Sequence, residues 1–364
     1  MSPARKNRKR SPRHAAGAAG DASVDLTRLL DLVGAFPRQK VCVVGDFVLD
    51  EFVSSEISRI SREAPVLILR HRRTEVYPGG AANAVNNLAE LGARVLPVGV
   101  VGDDEGGRAL LELFRRKRVD VSRIVRLRDW VTTKKTRFLA GWTHTTEQQV
   151  LRVDYEPTAA LAPPVQEAVA RKARQAARQA GTVLVSDYGL GAVTPEIVRR
   201  LPAQRITLDS RYRLLEYRDA RITAATPNEP ELEEAYHERI GTDVGKLEEL
   251  GRRALRDLGL ASLVVTRGKD GMAVFESGVQ DRRETLPAVR HIPIYGSDAP
   301  VDVTGAGDTV IAVFTLALAA GASFLEAAHL ANYAGGIVVM KRRTSAVTRA
   351  ELESALRREA TAQR

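Results

Sequence analysis

The run Asp302-Val303-Thr304-Gly305-Ala306-Gly307-Asp308-Thr309 is followed at once by an apolar stretch from Val310 to Ala320. A polar, glycine-rich turn of this kind delivers the chain into the first turn of a buried helix. Gly305 and Gly307 lack the Cβ atoms that keep a ligand off the backbone. The N–H groups of Gly305, Ala306 and Gly307 then point outward together at the positive end of the helix, which makes an anion site. A carboxylate beside such a site repels an anion at rest. Asp308 makes sense there if the anion is a phosphoryl group in transit and Asp308 takes the proton of the attacking hydroxyl. The plainer alternative is a turn whose Asp308 only caps the helix, and these eight residues do not separate the two.

Working outward, the rest of the chain supplies a frame for such a turn. Leu26, Leu29, Leu30 and Val33 recur at helical spacing before Pro37, and Lys40–Gly45 is a continuous apolar strand. That strand ends in Gly45-Asp46-Phe47-Val48-Leu49-Asp50. Carboxylates at the carboxyl end of a central strand sit where ligands bind in doubly wound sheets, so Asp50 is a candidate for substrate hydroxyls; Asp46 reads equally as a turn residue. Gly79 and Gly80 precede a helix from Ala84 to Leu91, and Asn83 can both donate to and accept from a sugar hydroxyl. From Pro163 helices and strands alternate, as parallel strands joined by crossover helices do. Strands at Thr182–Ser186, Arg205–Leu208 and Ile222–Ala225 place Asp187 and Asp209 at strand ends, where both are expected to face one crevice. The expected class is α/β, with a mostly parallel, doubly wound central sheet flanked by helices. Alternating stretches within about 52–77 and 133–154 predict a second, small β-sheet lying over the site as a lid.

Further along, Asn228 and Glu231 stand three apart at a helix start, hence on one face. They could hold Mg²⁺ through its retained waters beside nucleotide phosphates, or simply be acidic and polar residues favoured by the helix dipole. Gly268 and Gly271 make a tight turn between two strands; a hairpin explains them, and a nucleotide lying against the turn is compatible.

Composition narrows the class. The single cysteine, Cys42, lies in an apolar run, so no disulfide framework exists and a reducing, cytoplasmic setting is expected. Six of the ten net positive charges fall in residues 1–20, which contain no acidic residue. Residues 1–23 are therefore expected to be a disordered basic tail, with the globular domain over 24–360 and nucleic-acid binding not implied by the rest. The tail lacks the apolar core of a secretory leader, and no stretch reaches the ~20 apolar residues of a membrane span.

With these pieces placed, the chain resembles the ribokinase (PfkB) family of sugar kinases from about residue 38 to 357. Asp302–Thr309 is the most specific part. Gly79–Asn83, the Asn-x-x-Glu of 228–231 and Thr266–Gly271 match in the right order. The resemblance implies a ribokinase-like fold, and ATP with Mg²⁺ as cofactors. It implies Asp308 as the base, with Gly305, Ala306 and Gly307 around the γ-phosphoryl group. Thr266, Gly268, Gly271 and Asn332 would line the ATP site, with Asn228 and Glu231 organising Mg²⁺. Asp50, Gly79, Gly80, Asn83 and Asp187 would hold the sugar. Asp302 and Thr304 would bind a monovalent cation such as K⁺, and a homodimer formed through the lid is implied.

Within the family, Val44–Asp50, Ser58–Val66, Gln148–Asp154 and Ser186–Tyr188 are most similar to kinases acting at C1 of D-glycero-β-D-manno-heptose 7-phosphate. In the bifunctional form of those kinases a nucleotidyltransferase domain follows; this sequence ends before one could fit, so only the kinase activity is implied. Leu190 stands where those kinases carry a lysine, and Arg62, Arg137 or Arg211 could restore the cation. The alternatives are a kinase for another sugar or a nucleoside, and a catalytically idle relative that binds without transferring.

Overall fold

The computed structural model describes residues 24–142, 147–280 and 287–362. The expected basic tail, residues 1–23, and most of the loop over 141–147 lie outside them. Asp25 accepts a hydrogen bond from Thr27 N and so caps α1 (Leu26–Ala35), which buries Leu29, Leu32 and Val33 before Pro37 tightens its end. β1 (Lys40–Gly45) is buried from Val41 onward, as a central parallel strand must be. Next come β2 (Phe47–Ile60), β3 (Leu67–Gly80), α2 (Ala81–Glu90), β4 (Arg94–Val98) and β5 (Val100–Gly102). They are followed by α3 (Glu105–Arg116), β6 (Val125–Leu127), β7 (Lys134–Gly141) and β8 (Gln148–Tyr155).

The second half alternates as expected: α4 (Pro163–Ala180), β9 (Thr182–Asp187), α5 (Pro195–Arg199), β10 (Arg205–Ser210), β11 (Ala224–Ala225), α6 (Glu229–Tyr236) and α7 (Val244–Asp257). It closes with β12 (Ser262–Thr266), β13 (Met272–Gln280), β14 (Pro287–Ile292), α8 (Ala306–Ala319), α9 (Phe324–Val338) and α10 (Arg349–Ala362).

Among the described residues, eight strands form the central sheet in the order β14-β13-β12-β11-β10-β9-β1-β4. Pairing is parallel from β4 to β12 and antiparallel for β13 and β14. Period-two alternation splits the core between its faces. Val41, Val43, Leu184 and Val264 pack into the core shared with α1, α2, α8, α9 and α10. Cys42, Val44, Val185 and Val265 join the core under α4, α5 and α7. Helix α8 is buried from Asp308 to Leu318, so its start is fixed by the packing of the whole layer.

A second sheet, β3-β2-β7-β8, stands at the carboxyl edge of the first. Its first two strands cover 47–80, more than the expected 52–77. The first residues of β2, Phe47–Asp50, are buried throughout and therefore read as a continuation of β1. Asp50 thus belongs to the small sheet, paired with Tyr77 and Lys135, and not to the end of a central strand. Two further boundaries differ. The strand expected over Ile222–Ala225 is only Ala224–Ala225. The one expected over Val95–Val101 breaks at Gly99, where a Cβ would lie 2.7 Å from both the Gly45 carbonyl oxygen and the Phe47 ring.

Candidate active site

The site is built from the start of α8 outward. Gly305 holds φ +78° at the helix N-cap, and a Cβ there would lie 2.5 Å from Nδ2 of Asn83. Only glycine satisfies both demands. The turn before it is braced by Asp302, whose Oδ1 accepts from Thr304 N at 2.9 Å and Oδ2 from Arg343 N at 2.8 Å. The three expected outward N–H groups become two, because Ala306 N donates back to the Val303 carbonyl at 3.2 Å. Gly307 faces open space: nothing lies within 4 Å of where its Cβ would be.

Asp308 is 3 % exposed at the third helical position. Its Oδ1 accepts the Tyr188 hydroxyl proton at 2.8 Å, and its Oδ2 accepts from Asn83 Nδ2 at 3.1 Å. Burial pushes its pKa up to about 7; the bonds from Asn83 and Tyr188 oppose this, Asp50 adds to it, and Lys135 opposes it. A carboxylate that exchanges its proton near neutrality, at the mouth of a helix N-terminus, is suited to general-base work.

On the side of the small sheet, Asp50 is held by Arg137 Nη1 at 2.6 Å and by the Thr344 hydroxyl at 2.8 Å. Gly79 is glycine because a Cβ would lie 2.6 Å from the Asp50 carboxylate. Gly80, at φ +55°, turns the chain into α2 and so delivers Asn83, whose Oδ1 is in turn held by Asn87 Nδ2 at 3.1 Å. Asp50, Gly79, Gly80, Asn83 and Arg137 therefore converge on one side of Asp308.

Asp187 does not join them. It is turned inward, with Arg213 donating to both oxygens at 2.6 and 3.1 Å and the Tyr217 hydroxyl donating at 2.8 Å. The expectation that Asp187 faces the crevice is corrected: its carboxylate is consumed by a structural ion pair.

Two residues escaped the sequence reading. Tyr188 was visible only as the neighbour of Asp187, yet its hydroxyl reaches Asp308. Its loop is seated by Asp46, which accepts N–H bonds from Tyr188, Leu190 and Ala192 at 2.9, 3.0 and 2.9 Å. Lys135 is 9 % exposed, with its Nζ 5.2 Å above the Tyr188 ring. Burial, then Arg211 and Arg152, hold its pKa below the usual lysine value. Period-two spacing with Arg137 was the available signal for it.

On the opposite side, Asn228 and Glu231 form a reciprocal capping box: Asn228 Oδ1 accepts from Glu231 N at 2.8 Å, and Glu231 Oε2 accepts from Asn228 N at 2.9 Å. The helix-start alternative is thus realised, and it leaves Oε1 of Glu231 for other partners. Thr266 lies alongside, its N–H on the Pro227 carbonyl at 3.0 Å. Gly268, at φ +54°, is open on its Cβ side. Gly271 is packed: a Cβ would come within 2.0 Å of the Ile292 carbonyl oxygen. Asn332 donates to the Pro293 carbonyl at 2.8 Å, so Gly271 and Asn332 both brace the segment after β14. Between the two sides stands Asp209, pushed well up by burial and then by Glu231, Asp308 and Asp187; Glu231 is raised mainly by burial. Among the described residues no group of three or more His, Cys, Asp or Glu side chains is placed to hold a metal ion directly. Nor is any helix there long and apolar enough to cross a membrane.

Residues 38–350 match the model of the pfkB family of carbohydrate kinases. The chain is similar to the bifunctional protein HldE of Geobacter sulfurreducens, 38 % identical over 323 residues, covering 86 % of this chain and 62 % of that protein. It is also similar to HldE of Geobacter metallireducens, 39 % identical, covering 85 % of this chain and 61 % of that protein. The chain thus spans about three fifths of the length of these curated relatives. Among solved structures, phosphofructokinase-2 of Escherichia coli with potassium superposes with a TM-score of 0.69 at 18 % identity, covering 88 % of this chain and 99 % of that one. Ribokinase of Arabidopsis thaliana with ribose and ATP gives 0.63 at 19 %, covering 87 % and 98 %. The fold is ribokinase-like, and the chain belongs to the pfkB family: it is a carbohydrate kinase, a phosphotransferase acting on an alcohol group.

Proposed function

We propose that this pfkB-family kinase transfers the γ-phosphoryl group of ATP to C1 of a sugar phosphate, D-glycero-β-D-manno-heptose 7-phosphate. The observation that carries the reading is the meeting of Asp308 with the N-terminus of α8. In the step proposed, the Asp308 carboxylate takes the proton of the sugar hydroxyl and its oxygen bonds to the γ-phosphorus. The bond to the β-phosphate oxygen breaks, and ADP leaves. The N–H groups of Gly305 and Gly307 stabilise charge on the phosphoryl oxygens, so catalysis is mainly positioning and electrostatics.

The half-buried carboxylates of Asp209 and Glu231 suit a divalent cation, since desolvation raises both and Glu231 further raises Asp209, which leaves their charge wanting a counter-ion. They would hold Mg²⁺ through its waters, and the ion would neutralise the nucleotide phosphates. Thr266, Asn228 and Gly268 line the nucleotide side; Gly271 and Asn332 act by shaping it. A monovalent cation at Asp302 and Thr304 would use the lone pairs left on the Asp302 oxygens, each of which already accepts one N–H bond.

The HldE relatives support the heptose acceptor, and Lys135 supports an acceptor that already carries a phosphate. Its buried amine stands near Arg211 and has no anion bonded to it among the described residues. It supplies the cation that Leu190 lacks. An acceptor of another kind, a different sugar or a nucleoside, is favoured only by Leu190 itself. The outward face of the small sheet supports a homodimer.

ATP consumption across sugars and sugar phosphates, heptose 7-phosphate included, tests the acceptor. Asp308→Asn tests the chemistry: kcat should fall at least ~10²-fold with KM for ATP within about twofold of wild type. Near-normal turnover in that variant would overturn the assignment.

A further inference from the structure

We infer that Tyr188 is a positioning residue that keeps the Asp308 carboxylate ionised and aimed, working through a loop seated on Asp46. The inference rests on the proposed role of Asp308 as the base. Tyr188 donates to Oδ1 of Asp308 at 2.8 Å while Asn83 donates to Oδ2 at 3.1 Å, so the two donors fix the carboxylate plane. They are not equivalent. Asn83 is held at its other end by Asn87 and spends its second N–H on the Gly305 carbonyl at 3.2 Å, so its amide also ties the base to the turn, whereas the Tyr188 hydroxyl serves Asp308. Among the described residues the Tyr188 hydroxyl has one acceptor, Asp308 Oδ1; its ring lies against Gly80, where a Cβ would come within 3.2 Å of it, and Lys135 Nζ stands over the ring at 5.2 Å. Three N–H bonds to the buried Asp46 carboxylate hold the backbone that carries it.

The charged groups facing this pair are known. Asp50 on β2 disfavours the Asp308 anion and Lys135 on β7 favours it. Burial pushes the Tyr188 phenol well above the usual tyrosine value, and Asp308 itself, Asp209 on β10 and Glu231 on α6 add to this. Tyr188 is therefore a neutral donor throughout the working pH range. Its hydroxyl is a preorganised dipole aimed at the charged form of Asp308, which is the form that accepts the proton.

The test is the pH profile of kcat/KM at saturating Mg²⁺ for wild type, Tyr188→Phe and Asp308→Asn. Wild-type activity should fall on the acid side with a midpoint near 7, the value to which Asp308 is pushed. Losing one hydrogen bond to a charged acceptor corresponds to about 1 to 2 pH units, so Tyr188→Phe should move that midpoint upward by about one unit. At pH 6.5 the variant should then be roughly tenfold slower than wild type and near pH 9 within about threefold of it. Site-specific 3-fluorotyrosine at 188 is almost isosteric and a stronger donor, so it should move the midpoint downward, and it keeps the test open if the phenylalanine variant does not fold. An acid limb that stays in place in the fluorotyrosine protein, or that moves upward there, overturns the inference. Failure of the underlying reading looks different: Asp308→Asn would then retain turnover whatever residue 188 does.

Discussion

At the scale of single residues, the two aspartates that end in the crevice and beside it have opposite fates. Asp308 is buried with hydrogen bonds but, among the described residues, no cation bonded to it, and burial holds its pKa near neutrality. Asp187 is buried against Arg213, Tyr217, Ser210 and the N–H of Gly189. The first arrangement leaves a charge that chemistry can use; the second consumes it. Removing one member of a buried pair strands the other, at a cost of about 3 to 5 kcal/mol where the pair is fully desolvated. Arg213 is partly exposed, 24 % for its side chain, so the lower end applies. Arg213→Ala should therefore lower the unfolding free energy by about 3 kcal/mol in urea titrations. Asp187→Asn sets an amide donor against these donors and should also cost stability, but it should leave KM for the sugar within about twofold; a tenfold rise would return Asp187 to the sugar site. The sequence puts Asp308 at a helix start and Asp187 at a strand end, but nothing in it shows that Asp187 is neutralised. The difference is made by Arg213 and Tyr217, which reach Asp187 only because β10 lies next to β9.

At the scale of elements, what was legible followed from period and punctuation. The apolar β1, the helix-strand alternation after Pro163 and the glycine turn into α8 each carry their own signal. The start of β2 was hidden because Phe47–Asp50 are buried throughout, which erases alternation. The same elements explain why the Gly305 turn is sensitive. Its left-handed backbone and the side chain of Asn83 compete for the space of one methyl group, and Asn83 also positions Asp308. Gly305→Ala therefore acts at two levels. Strain in the turn should cost about 1 kcal/mol or more of stability. Displacement of Asn83 should lower kcat by at least ~10-fold, because one donor to the base is lost or misaimed. Gly307→Ala, which meets open space, should keep the fold and raise KM for ATP instead. Steady-state kinetics of the two variants side by side check this. Equal effects on KM from both would mean that the turn serves only the nucleotide.

At the scale of the whole molecule, the small sheet presents two unlike faces. On β7 and β8, Lys135, Arg137, Arg152 and Asp154 share the side turned to the site, since Arg137 lies opposite Arg152 and Lys135 opposite Asp154. The alternate residues fall on the other side, Lys134, Thr136 and Phe138 on β7 and the apolar Leu151, Val153 and Tyr155 on β8, of which Leu151 and Tyr155 are 55 % and 48 % exposed. A strand that is apolar on its solvent face leaves surface for a partner to cover. A two-fold axis lets the same patch cover its own copy, with no second kind of surface needed. The sequence carried the alternation of these strands but not the sense of their faces, which is set by where β2 inserts between β3 and β7. The purified protein should therefore run in analytical ultracentrifugation as a dimer of the 39.7 kDa chain at micromolar concentration. Leu151→Asp puts a charge on the outward face and leaves Arg137 and Lys135 on the other. It should yield monomers that still fold, with KM for the sugar raised more than KM for ATP, because β7 carries sugar-side residues and no nucleotide-side ones. A monomeric wild type, or a Leu151→Asp variant that remains dimeric, would mean that this face is covered by something other than a second copy.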